Sequence, residues 1–291
     1  MSWIFFATIA LLLWAFANIV DRYIASRELH DPILITTLFG FCVYLIFIVM
    51  SLFGGHPGVP FSIIVWAFVA GLAYTSACYL YYKVLSREEI SKLAPTMSME
   101  PIVVAFFAFF VFQEHLKLLS YLGIIMIVAG AILMNYKKHS KLSARRLQLW
   151  AVISVVLFAA KNLIFKYTTI EAPLLSVLFW FGLGGLMVSL CLYAKHHPHL
   201  RRQDRKGLRF IALSALLSAL ALLFYVESLN RGPVTLVSAF VATKPLAVLI
   251  LALLISRWHP MVLQEKFDRQ SILKKVSATV IIVLGATLVV L

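Results

Sequence analysis

The sequence predicts an all-α membrane protein of ten transmembrane helices, arranged as two inverted five-helix repeats. The chain is 62% apolar and 13% charged, with a mean hydropathy of +0.95, whereas an ordinary soluble domain is about 25% charged. Its apolar residues form runs of about 20, the length that crosses a hydrocarbon core of roughly 30 Å. The same residue pattern also occurs twice, once in each half of the chain.

Turn residues and charges delimit the ten helices. We expect them over residues 3–21, 33–53, 61–84, 91–113, 119–136, 148–168, 174–194, 208–229, 233–256 and 273–291. The loops between them are short, and the longest is the polar stretch 257–275. These spans leave no room for a soluble domain.

The repeat has an offset of 144 residues, the separation between Asn18 and Asn162. At that offset Tyr81 falls on Tyr225, and Glu100-Pro101 falls on Lys244-Pro245. A unit of five helices crosses the membrane an odd number of times, so the second unit must enter it upside down, as in many secondary transporters. We therefore expect one unit over residues 1–140 and the other over residues 145–291.

The net charge of +14 is interpreted as a topology signal rather than as a nucleic-acid surface. Most Lys and Arg residues lie after odd-numbered helices, and the opposite side carries only Lys117, Lys166 and Arg231. The bias predicts a multi-pass protein of a prokaryotic plasma membrane with both termini outside. The expected partners are membrane lipids and a small-molecule or lipid substrate, with no nucleic acid, and the protein is a monomer or homodimer.

Glu100 and Lys244 lie near the middle of the fourth and ninth helices, and a proline follows each of them. A charge at a helix centre costs about 2.5–3.5 kcal/mol when it is unpaired. The proline kinks the helix and frees a carbonyl, which needs a partner or a water-lined cavity. Two interpretations remain open: a buried ion pair that locks the halves together, or a substrate or coupling-ion site at the midplane.

Lys161 lies roughly two-thirds of the way across the sixth helix, and its repeat counterpart is Ala17. We expect this lysine to line the cavity, because lipid would exclude its charge. Its neighbour Asn162 and the equivalent Asn18 either bind substrate or join helices by hydrogen bonds. Glu227 lies one turn before Arg231, near an interface, and a cavity role is slightly favoured for it.

Aromatic and small residues complete the pattern. Trp14, Tyr81 and Tyr225 are candidates for the cavity wall, although membrane-belt positions are common for Trp and Tyr. Small residues at helical spacing indicate close helix packing, namely Gly71, Thr75, Ala215, Ala219, Gly182, Gly184 and Gly185. We find no Walker, zinc or nucleophile-elbow motif, so we expect no enzyme, no catalytic residue, no metal and no cofactor.

These features resemble the drug/metabolite transporter superfamily, specifically ten-helix proteins with two EamA-type units. The resemblance rests on Asn18 and Asn162, on Glu100-Pro101, on Glu114 at the exit of the fourth helix, and on Tyr-x-x-x-Leu at the ends of helices three and eight. It implies a secondary carrier whose central cavity opens alternately to each side. Two features depart from the generic pattern: the external termini, and the lysines Lys161 and Lys244.

Together these inferences predict a secondary transporter, expected to be an exporter, of a small organic solute that bears a carboxylate or phosphate. Lys161 and Lys244 would hold the anionic group, and Glu100 would serve as counter-ion and proton site. A flippase for a lipid or a polyprenyl-phosphate-linked substrate is the alternative, because a basic cytoplasmic face and an anionic headgroup site would suit it equally well.

The charge bias makes a direct prediction about topology. In intact cells, an epitope or reactive cysteine at the N-terminus should be accessible to an impermeant label from outside. The same tag in the basic loop 137–146 should be labelled only after permeabilisation. A protected N-terminus together with an accessible 137–146 loop would show that the orientation is the reverse.

Overall fold

A computed structural model describes residues 2–24, 31–54, 58–87, 90–135, 145–196, 205–258 and 269–290. Within these ranges the chain forms twelve α-helices. They are α1 (Trp3–Tyr23), α2 (Pro32–Gly54), α3 (Phe61–Leu85), α4 (Ile90–Met97), α5 (Glu100–Val111), α6 (Leu118–Asn135), α7 (Arg145–Glu171), α8 (Leu174–His196), α9 (Arg205–Arg231), α10 (Val234–Val241), α11 (Lys244–Trp258) and α12 (Arg269–Val290).

These helices make ten membrane segments, because α4 with α5 and α10 with α11 are each one interrupted segment. Eight segments of the described chain are long and apolar enough to cross a membrane, and residues 118–134 form a shorter apolar helix. Segment boundaries agree with the sequence prediction to within a few residues. The protein is therefore an all-α membrane protein of ten transmembrane helices.

The fourth and ninth segments are each divided into two separate helices, whereas the sequence predicts one kinked helix in each. A single turn at Ser98 and Met99 separates α4 from α5, and a matching turn at Ala242 and Thr243 separates α10 from α11. Each break directly precedes the charged residue and its proline. Because proline has no N–H and its ring clashes with the carbonyl four residues earlier, the upstream helix cannot continue through it.

Packing between the two units follows the repeat. Helix α1 packs against α9, and its repeat equivalent α7 packs against α3, the equivalent of α9. Helix α2 packs against its own equivalent α8, and α6 against its equivalent α12. This exchange of partners is what a two-fold pseudo-axis between the units requires. The segments α10–α11 and α4–α5 lie beside α1 and α7, respectively, so both breaks face the interface between units.

Small residues allow the closest of these helix contacts. A Cβ added at Gly71 of α3 would overlap the carbonyl of Phe181, and one added at Gly184 of α8 would overlap the carbonyl of Phe68. The two glycines therefore hold α3 and α8 backbone to backbone, which agrees with the packing role predicted for them. Gly185, also on α8, lies against the ring of Tyr44 on α2.

Gly184→Ala should force α3 and α8 apart and lower the thermal unfolding midpoint of the purified protein by roughly 2–10 °C, corresponding to about 1–3 kcal/mol of overpacking. Gly58→Ala is the matched control, because no atom lies within 4 Å of a Cβ added there. Scanning fluorimetry in one detergent compares the variants. Equal midpoints for Gly184→Ala and the wild type would refute the close contact.

Candidate functional site at the two helix breaks

Both helix breaks place a charged side chain at the start of a half-helix. Glu100 is the first residue of α5 and is followed by Pro101. Lys244 is the first residue of α11 and is followed by Pro245. Each proline also leaves the carbonyl four residues earlier without its helical donor. The breaks therefore bring charges and free backbone polar groups to the same level of the bundle.

Glu100 accepts a hydrogen bond from a residue of the opposite unit. Its Oε1 accepts a hydrogen bond of 2.7 Å from Nδ2 of Asn162 on α7. Asn162 is only 1% exposed, and its Oδ1 is buried without a partner in the part of the chain that the structure describes. A buried acceptor that lacks a donor costs about 1–3 kcal/mol. The site therefore presents an acceptor to whatever occupies it.

Lys161 lies beside Asn162 and is 4% exposed. Its Nζ lies over three rings, 5.1 Å from the centroid of Tyr225, 5.4 Å from Tyr74 and 5.8 Å from Phe165. The aromatic faces attract the ammonium and are worth about 2 kcal/mol or more for a desolvated cation. Among the described residues no carboxylate lies within 4.0 Å of this lysine, so the rings orient the charge without neutralising it.

Lys244 completes the arrangement from the second break. Its Nζ lies 5.9 Å from the centroid of the Trp14 ring, and that ring lies 5.1 Å from the ring of Tyr225. Glu100 interacts electrostatically with both Lys161 and Lys244. Within the described chain, however, Glu100 and Lys244 form no ion pair within 4.0 Å. Lys244 and Glu100 therefore attract each other across the site without forming a direct ion pair.

We refer to these side chains as the central cluster. It comprises Trp14, Tyr74, Glu100, Lys161, Asn162, Tyr225 and Lys244. Two lysines and one glutamate leave an excess of positive charge, and aromatic rings form much of the wall. Such a cluster can bind an anionic group and pack against an apolar body.

Three other predicted site residues lie away from these contacts. Asn18 is partly buried on α1, one turn beyond Trp14. Tyr81 packs against the ring of Tyr82 at a centroid distance of 5.4 Å. Glu227 forms an ion pair of 2.6 Å with Arg231, at the end of α9. Their proposed roles in binding remain predictions.

Sequence reasoning missed Asp21, Ser214 and Tyr74. Asp21 is the last residue of the first predicted helix and directly precedes Arg22, where a charge needs no special explanation. The structure continues α1 to Tyr23 and joins Asp21 to Ser214 of α9. Tyr74 carries no distinguishing signal, because α3 contains three other tyrosines near its end.

A second group of polar contacts lies at the end of the bundle where α5 ends and α10 begins. Gln113 adopts a left-handed conformation with φ of 52°, which turns the chain out of α5. The Glu114 carboxylate then accepts hydrogen bonds from the backbone N–H of Val234 at 2.8 Å and of Thr235 at 3.1 Å. Glu114 of the first unit thus caps a helix of the second unit.

Lys166 secures the adjoining turn. Its Nζ donates to the carbonyls of Leu229 and Gly232 at 2.8 and 2.9 Å. A surface recess is lined by Glu114, Lys166 and Arg231, but the charged groups of these side chains already have protein partners. These contacts therefore close one end of the bundle and do not form a second ligand site.

The fold defines a class of protein, the polytopic membrane proteins. A family model for the EamA-like transporter family matches residues 1–136 and 146–291, so the chain belongs to that family. One similar solved structure, described as "Crystal structure of protein", has a TM-score of 0.74 at 18% sequence identity. The alignment covers 98% of this chain and 94% of the chain in that structure, and it supports the fold alone. No curated protein matches the chain.

Glu114→Ala should weaken the contact between units, because two backbone N–H groups at the start of α10 lose their acceptor. We expect a loss of about 1–2 kcal/mol, seen as a lower thermal midpoint. Glu171→Ala is the control, since Glu171 is an exposed carboxylate at the end of α7. If both variants unfold at the wild-type temperature, the cap contributes nothing.

Proposed function

We propose that this transporter is a secondary carrier, expected to be an exporter, of a small organic solute that bears a carboxylate or phosphate. The observation that carries the proposal is the excess of positive charge in the central cluster. Lys161 is 4% exposed and held by three rings rather than by a carboxylate. A buried cation without a contacting counter-ion favours a ligand that supplies one.

The positions of the two lysines support a shared anion site. Lys161 and Lys244 interact electrostatically. Lys161 lies over the ring of Tyr225 and Lys244 over the ring of Trp14, and these two rings are neighbours. An anion between them would reduce their mutual repulsion. The positive dipole end of α11 at its N-terminus adds to the attraction for a carboxylate or phosphate.

Asn162 adds a second requirement for the solute. Its Nδ2 is occupied by Glu100, while its buried Oδ1 lacks a partner among the described groups. A solute with a hydroxyl or amino group could donate to Oδ1 while its anionic group binds the lysines. Glu100 would then act as the fixed counter-ion that keeps the empty site from carrying two uncompensated cations.

The interwoven packing of the units supports transport by alternating access. Each unit's first helix packs on the third segment and on the interrupted segment of the other unit. A rocking motion of these helices would expose the region between the breaks first to one side and then to the other. The two breaks would act as hinges in that motion, because the half-helices on either side of a break can move independently of each other.

Lys161→Gln and Lys244→Gln should each reduce anion transport at least tenfold, because a charge-assisted contact contributes about 1.5–3 kcal/mol. Proteoliposomes supplied with labelled monocarboxylates, dicarboxylates, amino acids and sugar phosphates measure the rate. Lys83→Gln is the matched control. Lys83 also lies inside a helical segment, but its Nζ lies 4.2 Å from the ring of Trp150 near the end of α3.

The outcomes separate the alternatives. Wild-type rates in both lysine variants would refute the anion site, provided that the variants elute as single species on size exclusion. Transport of none of these solutes, together with movement of a labelled anionic lipid between leaflets, would favour the flippase instead. Native mass spectrometry of the purified protein identifies which kind of molecule accompanies it.

A further inference from the structure

Asp21 is a second carboxylate within the bundle, outside the contacts of the central cluster. It lies on the same face of α1 as Trp14 and Asn18, seven residues or about two turns beyond Trp14. Its Oδ1 accepts a hydrogen bond of 2.5 Å from Oγ of Ser214, a fully buried residue of α9. Neither residue has a polar counterpart in the repeat, since the equivalent positions are Phe165 and Ala70.

The groups that act on Asp21 come from several helices. From α11, Lys244 attracts it electrostatically. The titratable groups of α3 that interact with it are Tyr74, Cys78 and Tyr82. Helix α9 contributes Ser214 and, five residues earlier, the exposed Arg209, while α10 contains no titratable residue. In the described chain no cation lies within 4.0 Å of the Asp21 carboxylate.

This environment contrasts with that of Glu100. Glu100 accepts a hydrogen bond from Asn162 and interacts with two lysines, so its negative charge is compensated. Among the described groups, Asp21 has one hydroxyl donor, Ser214, and one attracting cation, Lys244, which also acts on Glu100. A proton can neutralise such a carboxylate without any rearrangement of the helices, whereas an uncompensated charge within the membrane is costly.

We propose that Asp21, held by Ser214, is the site that binds the coupling proton, and that Glu100 remains a fixed counter-ion. The inference rests on the proposed function, because coupling requires a transported solute. A proton suits the site better than a metal cation, since a carboxylate and one hydroxyl provide too few oxygen ligands for a hard cation. Ser214 accommodates both states, because its hydroxyl donates to the carboxylate and accepts from the carboxylic acid.

Lys244 provides the link between proton and solute. An anion bound at Lys244 offsets the charge that attracts Asp21, so anion binding favours proton binding. Linkage is reciprocal, so a protonated Asp21 leaves Lys244 freer to attract the anion. The proton and the anion therefore move in the same direction. A solute that accumulates in the cytoplasm would leave together with its proton.

Infrared difference spectroscopy tests the proton site without any solute. Vesicles that contain the purified protein are titrated, and the C=O band of a protonated buried carboxyl is followed. We expect the band in the wild type, in Glu100→Gln and in the control Asp31→Asn, whose carboxylate is exposed beside α2. Asp21→Asn should abolish it. A band that persists in Asp21→Asn, or one that disappears only in Glu100→Gln, would overturn the assignment.

A transport measurement tests the coupling. For whichever labelled anion of the panel the wild type carries, Asp21→Asn should lose accumulation driven by a pH gradient at least tenfold, yet keep anion exchange without a gradient. Retained gradient-driven accumulation, or dependence on Na⁺ instead of protons, would refute the proposal. If no anion is carried, the proposed function fails, while the infrared result still decides whether Asp21 binds the proton.

Discussion

The structure depends on one constraint: two helices must break inside a medium that offers no water to their backbones. Proline at 101 and 245 removes an N–H and excludes the upstream helix turn in each unit. In lipid, the freed polar groups would each cost several kcal/mol, so the breaks can lie only where protein surrounds them. The two-fold arrangement meets this need, because each interrupted segment lies against the first helix of the other unit.

Burial of the breaks also explains why the charged residues gather there. Because each interrupted segment lies against the first helix of the opposite unit, residues of that unit can compensate the charges of Glu100 and Lys244. Asn162 provides a hydrogen bond to Glu100, and aromatic rings of Trp14 and Tyr225 surround the cations. The polar cluster is therefore a consequence of the fold as well as a candidate site.

Local patterns predicted most of the fold, because hydrophobic length and internal repetition are properties of the sequence itself. The ten segments, their limits and the two units all followed from those two signals. Members of the candidate site were predictable only where a charge lies inside an apolar span, as for Glu100, Lys244 and Lys161. The hydrogen bond between Asn162 and Glu100 depends on how α7 meets α5, and the pairing of Asp21 with Ser214 joins residues 193 positions apart. No periodicity encodes such contacts.

The two units share the same helix arrangement but differ in their charged residues. The free energy needed to separate the helices therefore differs between the two ends of the bundle. Glu114 closes one end by two charge-assisted hydrogen bonds to α10, whereas the equivalent position in the second unit is Trp258, which carries no carboxylate. Opening the Glu114 end would forfeit about 1–2 kcal/mol in the absence of new partners. A solute bound at the central cluster can favour that opening only through stronger binding to the open form. Lys161, Asp21 and Glu114 have no charged counterpart in the other unit, so the two ends of a symmetric fold are held by different interactions.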